Sequence, residues 1–296
     1  MTIRWGVSPI AWANDDMPEL GGDTSLDMLL TDVKEIGFDG VELGNKFPRE
    51  PATLAPIMAG YGLDIVGGWY SSSLLVRGAN AEISSMADHL TLLEHMGASV
   101  FILAETSNAV HGDRRSRLDM HPELGAADWA TFGRRLDAVA RVVNDHGLRF
   151  AYHHHLGTVV ETARELEHFL DATGDHVGLV LDTGHAIYGG IDPIDVIRTR
   201  PGRVSHVHCK DVRSQRHAAF YADGVSFLDG VVGGMFTTPG DGDYDYAPFM
   251  RALKDMDYSG WIVIEAEQDP ALANPRDYSQ LGLDTLKRLA LDVELH

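Results

Sequence analysis

The feature that most constrains the fold of this chain is an eightfold alternation. Short β-rich apolar runs recur at Arg4–Ile10, Gly40–Leu43, Ile65–Trp69, Val100–Ala104, Phe150–His153, Val177–Leu181, Val204–His208 and Trp261–Glu265. Helical patterns lie between them, among them Ser25–Ile36, Ala81–Met96, Asp128–Asp145, Thr162–Ala172 and Tyr246–Asp255. In Asp128–Asp145, the residues Trp129, Phe132, Leu136, Val139 and Val143 recur every three or four positions, one buried face of an amphipathic helix. Gly37, Gly60 or Gly62, Gly97 and Gly147 sit where C-terminal caps belong. Strands joined through helices run parallel, and an unbroken run such as Gly178-Leu179-Val180-Leu181 is that of a strand buried on both faces. Eight such units with no linker predict one α/β domain over residues 1–296, a closed (β/α)8 or TIM barrel. A doubly wound open sheet is the alternative. It normally carries a glycine-rich phosphate loop after its first strand, and Ser8-Pro9-Ile10-Ala11-Trp12 is not one.

Three connections exceed what packing needs: 12–24, 106–125 and 212–240. Long loops in a compact domain are usually lids or binding walls, or else disordered. Aromatics and glycines in the first and third favour ordered lids, whereas the middle one, with His111, Arg114, Arg115, Arg117 and His121, reads either way.

Composition removes several function classes. With 24 Lys and Arg against 44 Asp and Glu, the net charge of −20 repels phosphate backbones and argues against a nucleic-acid partner. The one cysteine, Cys209, excludes an intrachain disulfide and fits a reducing compartment. Neither a signal peptide nor a membrane-spanning run is visible, so a soluble, cytoplasmic protein with no membrane partner is the expectation.

In a parallel barrel the functional face is the carboxyl end of the strands. There the sequence places Tyr152-His153-His154-His155, Leu181-Asp182-Thr183-Gly184-His185, His206-Val207-His208-Cys209-Lys210 and Ile264-Glu265-Ala266-Glu267. Side chains alternate along a strand, so His153 and His155 share one face; His206, His208 and Lys210 share another, and Cys209 points away into the core. Each residue has a bland reading: Asp182 as a helix cap, Glu161 as a first-turn acid, His208 as a bonded core histidine, Glu265 as an ion-pair partner. Four adjacent strands ending this way make a metal site the better reading, with Glu161, Asp182, His208 and Glu265 or Glu267 as ligands. A mostly carboxylate set favours Mn²⁺, Co²⁺ or Mg²⁺ before Zn²⁺. His155, His185 and Lys210 remain for proton transfer and for holding an oxyanion. Chemistry of this kind acidifies a proton beside a ketone through an enediolate, one imidazole acting as base and the other as acid towards a leaving hydroxyl.

The Asp-x-x-His and His-x-Lys pattern on such a barrel resembles the xylose-isomerase-like superfamily. Asn14-Asp15-Asp16-Met17-Pro18-Glu19-Leu20-Gly21-Gly22 and Glu42-Leu43-Gly44-Asn45-Lys46-Phe47-Pro48 narrow the resemblance to the inosose dehydratase family. The resemblance implies a cytoplasmic hydro-lyase of inositol catabolism that dehydrates 2-keto-myo-inositol, a cyclic keto-polyol, to a trihydroxycyclohexane-1,2-dione with Mn²⁺ or Co²⁺. His155 and His185 then match the family's base and acid, and Lys210 steadies the enolate oxygen or ketone. Many superfamily members place a glutamate where this chain has His153, so either His153 substitutes or Glu161 reaches back; Glu161 keeps the set hard and is preferred. Trp12, Glu42, Asn45, Lys46, Trp69 and Arg213 are the expected substrate wall, the two tryptophans having core packing as their alternative. A sugar isomerase or epimerase on the same site is the competing reading; phosphodiester cleavage conflicts with the charge, and a non-catalytic sugar-binding module with the retained ligands and bases. The C-terminal stretch Leu281–Leu295 reads as a capping helix or a subunit interface, a homo-oligomer being one outcome.

Overall fold

The computed structural model describes residues 2–296. Its eight parallel barrel strands are β1 (Ile3–Val7), β2 (Gly40–Leu43), β3 (Asp64–Ser72), β4 (Val100–Glu105), β5 (Arg149–His153), β6 (Gly178–Asp182), β7 (Val204–Cys209) and β10 (Gly260–Ile264). They close in the order β1-β10-β7-β6-β5-β4-β3-β2. Two further short strands, β8 (Asp211–Val212) and β9 (Phe236–Thr237), form a separate antiparallel ribbon above the barrel.

Two cores follow from the period of two along each strand. Phe150 and Tyr152, Leu179 and Leu181, Val207 and Cys209, and Ile262 and Ile264 point outward into the large core beneath the helices. The helix Ala126–Asp145 contributes Trp129, Phe132, Leu136, Val139 and Val143 to that core, the face its periodicity marks. Alternate residues point inward: Val66, Val100, Ile102, Ala151, Val180, Trp261 and Val263 fill the lower barrel. The Trp261 indole makes its floor, and β2 accommodates it with a glycine, because a Cβ at Gly40 would lie 2.8 Å from the ring. The inward row then changes character towards the carboxyl ends. On β5 it passes from Ala151 to His153, on β6 from Val180 to Asp182, and on β10 from Val263 to Glu265. A dry, packed floor therefore carries a layer of ionisable groups.

A third core closes the mouth. Met17 from the first long loop, Leu118 from the second, and Phe227, Leu228, Val231, Met235 and Phe236 from the third pack together with Leu156. The third loop holds helices at Ser214–Asp223 and Phe227–Val232, which the sequence pattern does not reveal because each is short. The middle loop is held by Val110 N–H donating to Gly157 O (2.8 Å) and Leu118 N–H to Val225 O (2.7 Å). Helix Pro51–Tyr61 ends at Gly62, one of the two caps the sequence offers; its extent is not legible there, because Pro56 lies within it and its apolar residues form no stripe. The C-terminal helix starts earlier than expected, spanning Pro275–Asp292, with Asn274 as its cap. No helix of the described residues is long and apolar enough to cross a membrane.

Candidate active site and metal centre

Asp182 is both the cap and the candidate ligand of the sequence reading. Its Oδ1 accepts from His185 N–H at 3.0 Å and starts the helix Thr183–Tyr188. Its Oδ2 is buried with no hydrogen-bond partner and faces His208 Nδ1 at 3.6 Å and His153 Nε2 at 3.8 Å. Glu265 Oε2 lies 2.7 Å from the same His208 nitrogen. The donor atoms of His153, Asp182 and His208 all fall within 4.8 Å of one another. Register explains the convergence, since Asp182 pairs with His208 and Val263 pairs with His208 on the other side. Gly184 keeps the arrangement open, because a Cβ there would strike the Lys210 stem at 2.8 Å.

Neighbouring groups fix which nitrogens carry lone pairs. Glu42 Oε1 accepts from both His206 Nε2 (2.9 Å) and His208 Nε2 (3.0 Å), which turns His208 Nδ1 towards the cluster, 2.7 Å from Glu265 Oε2, where a bound cation would take the place of the proton that nitrogen carries. His153 donates from Nδ1 to His154 O (2.6 Å), so its Nε2 carries the lone pair. Burial, with the nearby His208, lowers His153 to about 3. Burial opposes the charge on Glu42, but His208 and His206 overcome it and hold the carboxyl at about 2. His208 is the partner that takes up charge: burial opposes it, and Glu42 and Glu265 raise it well above the imidazole range, whereas burial lowers His206. Two imidazoles and the Asp182 carboxylate with its orphaned oxygen form a buried donor set that fits a divalent cation, with Glu265 beside it at His208.

Lys210, fully buried, bonds Glu265 Oε1 (2.7 Å), Glu267 Oε2 (2.8 Å) and His185 Nε2 (3.0 Å). Burial opposes its charge, but these carboxylates hold it protonated. His155 donates from Nδ1 to Leu156 O (2.7 Å), leaving Nε2 free. The His185 ring packs against it, with centroids 3.8 Å apart and planes tilted by 36°. Burial, reinforced by neighbouring imidazoles and Lys210, keeps both rings neutral. The cleft over this layer holds about 670 Å³ of empty space, part of it open solvent. His153, His155, His208, Glu42, Glu265 and Glu267 line it, with Trp69, Leu43 and Ile102 as its apolar wall. Trp69 meets His153 and His155 edge-on, at 5.2 and 5.8 Å.

Several sequence expectations are corrected by these positions. Glu161 does not reach the cluster. Its Oε2 accepts from Gly157 N–H (2.5 Å) and its Oε1 lies 3.5 Å from His121 Nδ1, because the tight turn closed by His155 N–H to Val160 O points it to the far side. His153 is the residue of the pair that lies in the donor cluster. Trp12 belongs to the core, where its Nε1–H donates to Asp32 (2.9 Å). Asn45 and Lys46 bond Asn14 O and Gly22 O of the first long loop rather than facing the cleft. Arg213 is taken up by Gly234 O, Phe236 O, Thr237 and Asp241. His185 stands behind His155 and does not line the cleft; Lys210 meets it only through Glu265 and Glu267. Both glutamates line the cleft, but Glu265 Oε2 lies 2.7 Å from His208 Nδ1, whereas Glu267 Oε2 bonds Lys210 at 2.8 Å. Asp15 and Asp16 also line it, unnamed as site residues in the sequence reading, and two consecutive acids in a lid loop were the available signal.

A family model described as xylose isomerase-like TIM barrel matches residues 30–289. The chain is 40% identical over 290 residues to the rhizopine catabolism protein MocC of Rhizobium meliloti, covering 98% of this chain and 89% of that protein. It is 38% identical over 281 residues to an inosose dehydratase of Lacticaseibacillus casei, covering 94% of each. A solved L-ribulose 3-epimerase superposes with a TM-score of 0.69 over 99% of this chain and 96% of that one, at 17% identity, a likeness of fold alone. The fold, the match of most of the chain and these relatives agree: the chain belongs to the xylose isomerase-like TIM-barrel family.

Proposed function

We propose that this protein is a metal-dependent hydro-lyase of inositol catabolism that removes water from 2-keto-myo-inositol to give a trihydroxycyclohexane-1,2-dione. The observation that carries the reading is the orphaned Asp182 Oδ2 beside His208, His153 and Glu265 at the base of a cleft whose other wall offers a free imidazole nitrogen. Similarity to an inosose dehydratase over nearly the full chain supports the substrate. His153, Asp182, His208 and Glu265 hold the cation. Two imidazoles with two carboxylates suit Mn²⁺ or Co²⁺ better than Mg²⁺, which prefers oxygen, or Zn²⁺, which favours more nitrogen and sulfur. When bound, the cation supplies Lewis-acid polarisation of the ketone.

The chain's own residues supply the proton transfers. His155 takes the proton α to the ketone at Nε2, the nitrogen its bond to Leu156 O leaves free. His185, packed against His155 and bonded to Lys210, fixes the plane of that ring. The hydroxyl on the next carbon departs towards Glu267: burial pushes its carboxyl up to about 7 despite Lys210, so a proton held there passes to the hydroxyl while Glu265 and Asp182 keep Lys210 charged. One proton and one hydroxyl leave, and the balance is a molecule of water. Lys210 acts through Glu265 and Glu267, holding both carboxylates in place. Trp69 covers the apolar face of the ring. Mass spectrometry after incubation with 2-keto-myo-inositol and Mn²⁺ tests the reading: a product lighter by one water is expected, and a rearranged product of unchanged mass would return the isomerase or epimerase alternative.

A further inference from the structure

The cleft is lined by five carboxylates, Asp15, Asp16, Glu42, Glu265 and Glu267, and by no lysine or arginine among the described residues. Glu265 and Glu267 are bonded by Lys210, and Glu42 by two histidines. Among the described residues Asp15 and Asp16 form no ion pair and accept no hydrogen bond from a lysine or arginine, Arg49 acting on Asp15 through its charge alone, and both stand exposed where they line the cleft. That a ligand enters here rests on the unpartnered, fully buried Asp182 Oδ2 beside the cleft-lining His153 and His208, independent of the two aspartates.

The loop carrying them is held in place. Asn45 N–H donates to Asp15 Oδ1 (3.1 Å), and Asn45 Nδ2 donates to Asn14 O (3.2 Å). Asn14 Oδ1 in turn accepts from Asp16 N–H (2.8 Å) and Met17 N–H (2.7 Å), and Met17 is buried in the core that closes the mouth. Each carboxylate therefore projects from a fixed backbone, with Asp15 Oδ2 left free.

We infer that Asp15 and Asp16 are specificity residues: they accept hydrogen bonds from the ring hydroxyls of a neutral polyol and turn away a ring bearing phosphate or carboxylate. Asn45 is a positioning residue that acts through them. The inference deepens the dehydratase reading and rests on its substrate class. Carboxylates accept from vicinal hydroxyls without a proton of their own, and an anionic substituent meets like charge at the lip that no ion pair neutralises.

Binding calorimetry on the Mn²⁺-loaded protein tests this without turnover, with myo-inositol and myo-inositol 1-phosphate as probes. Wild type should bind the neutral ring at least about tenfold more tightly than the phosphate ester. In the double variant Asp15→Asn, Asp16→Asn the neutral ring should lose about tenfold in affinity, the scale of hydrogen bonds to charged acceptors, and the gap should fall below about threefold. Asp23→Asn, on the same loop but off the cleft, should change neither value. Asn45→Ala should weaken the neutral ring in wild type and add nothing in the double variant. Wild type that binds neither probe, a double variant with the wild-type gap, or an equal effect of Asp23→Asn overturns the inference; an equal cost of Asn45→Ala in both backgrounds overturns the positioning role. If wild type fails to dehydrate 2-keto-myo-inositol, the functional reading falls, while the gap between the two probes still decides this one.

Discussion

Asp182 carries two loads on two oxygens, and two substitutions separate them. Asp182→Asn keeps an Oδ1 to accept from His185 N–H, and asparagine caps helices as well as aspartate. It replaces Oδ2, the atom 3.6 Å from His208 Nδ1 and 3.8 Å from His153 Nε2, with a group that cannot bind a cation. Asp182→Ala removes both. Loss of a helix cap costs about 1 kcal/mol, which for a protein of this size is roughly 1–2 °C in melting temperature. In chelated protein the alanine variant should therefore melt about 1–2 °C below the asparagine variant. Calorimetric titration with Mn²⁺ should show both variants losing more than the roughly 10–100-fold that loss of a supporting partner costs a metal site. Equal melting of the two variants would refute the cap, and wild-type Mn²⁺ affinity in Asp182→Asn would refute the ligand.

His155→Ala should lower kcat by about 10²–10⁴ at unchanged metal content, since it removes a proton-transfer group and no ligand; kcat near wild type removes His155 from the chemistry. Glu42→Gln should weaken Mn²⁺ binding by roughly 10–100-fold by releasing the ring of His208, as read by competition with a chelating dye, and an unchanged affinity contradicts the assigned orientation. The same residue governs acid stability. Its carboxyl titrates at about 2 in the folded protein, below the ordinary 4.5, so the unfolded chain binds the proton more readily and stability falls as pH drops between these values. Melts of chelated Glu42→Gln should show a flatter dependence over that window, and an identical slope would place the acid sensitivity elsewhere. Trp12→Phe should cost about 1 kcal/mol of stability through the lost bond to Asp32 and leave KM unchanged; a shifted KM would restore Trp12 to the substrate wall.

The barrel was legible because its signal is repeated and local. Each strand announces itself as a β-rich run, and alternation along it states which residues share the inner face. That rule places His153 with Ala151, Asp182 with Val180 and Glu265 with Val263, so the ionisable layer can be read from parity and position alone. What sequence could not carry was anything decided by a partner distant along the chain. Glu161 follows β5 by eight residues, and only the turn from His155 to Val160 determines that it faces His121. Asn45 and Lys46 look like substrate contacts because they are polar and near the mouth, yet their partners are the backbone of residues 14 and 22. Arg213 finds its acceptors on β9 and at Asp241, across an insertion whose two helices are too short to leave a periodic trace. Trp12 was open between wall and core, and Asp32 on a neighbouring helix decides it.

The most direct test of the central claim strips the protein with chelator, restores Mn²⁺, adds 2-keto-myo-inositol and follows the ultraviolet absorbance of the enolised dione. Absorbance that appears only with the cation restored, and fails to appear in Asp182→Asn, is the predicted result. No absorbance from protein shown by calorimetry to hold Mn²⁺ would contradict the dehydratase assignment.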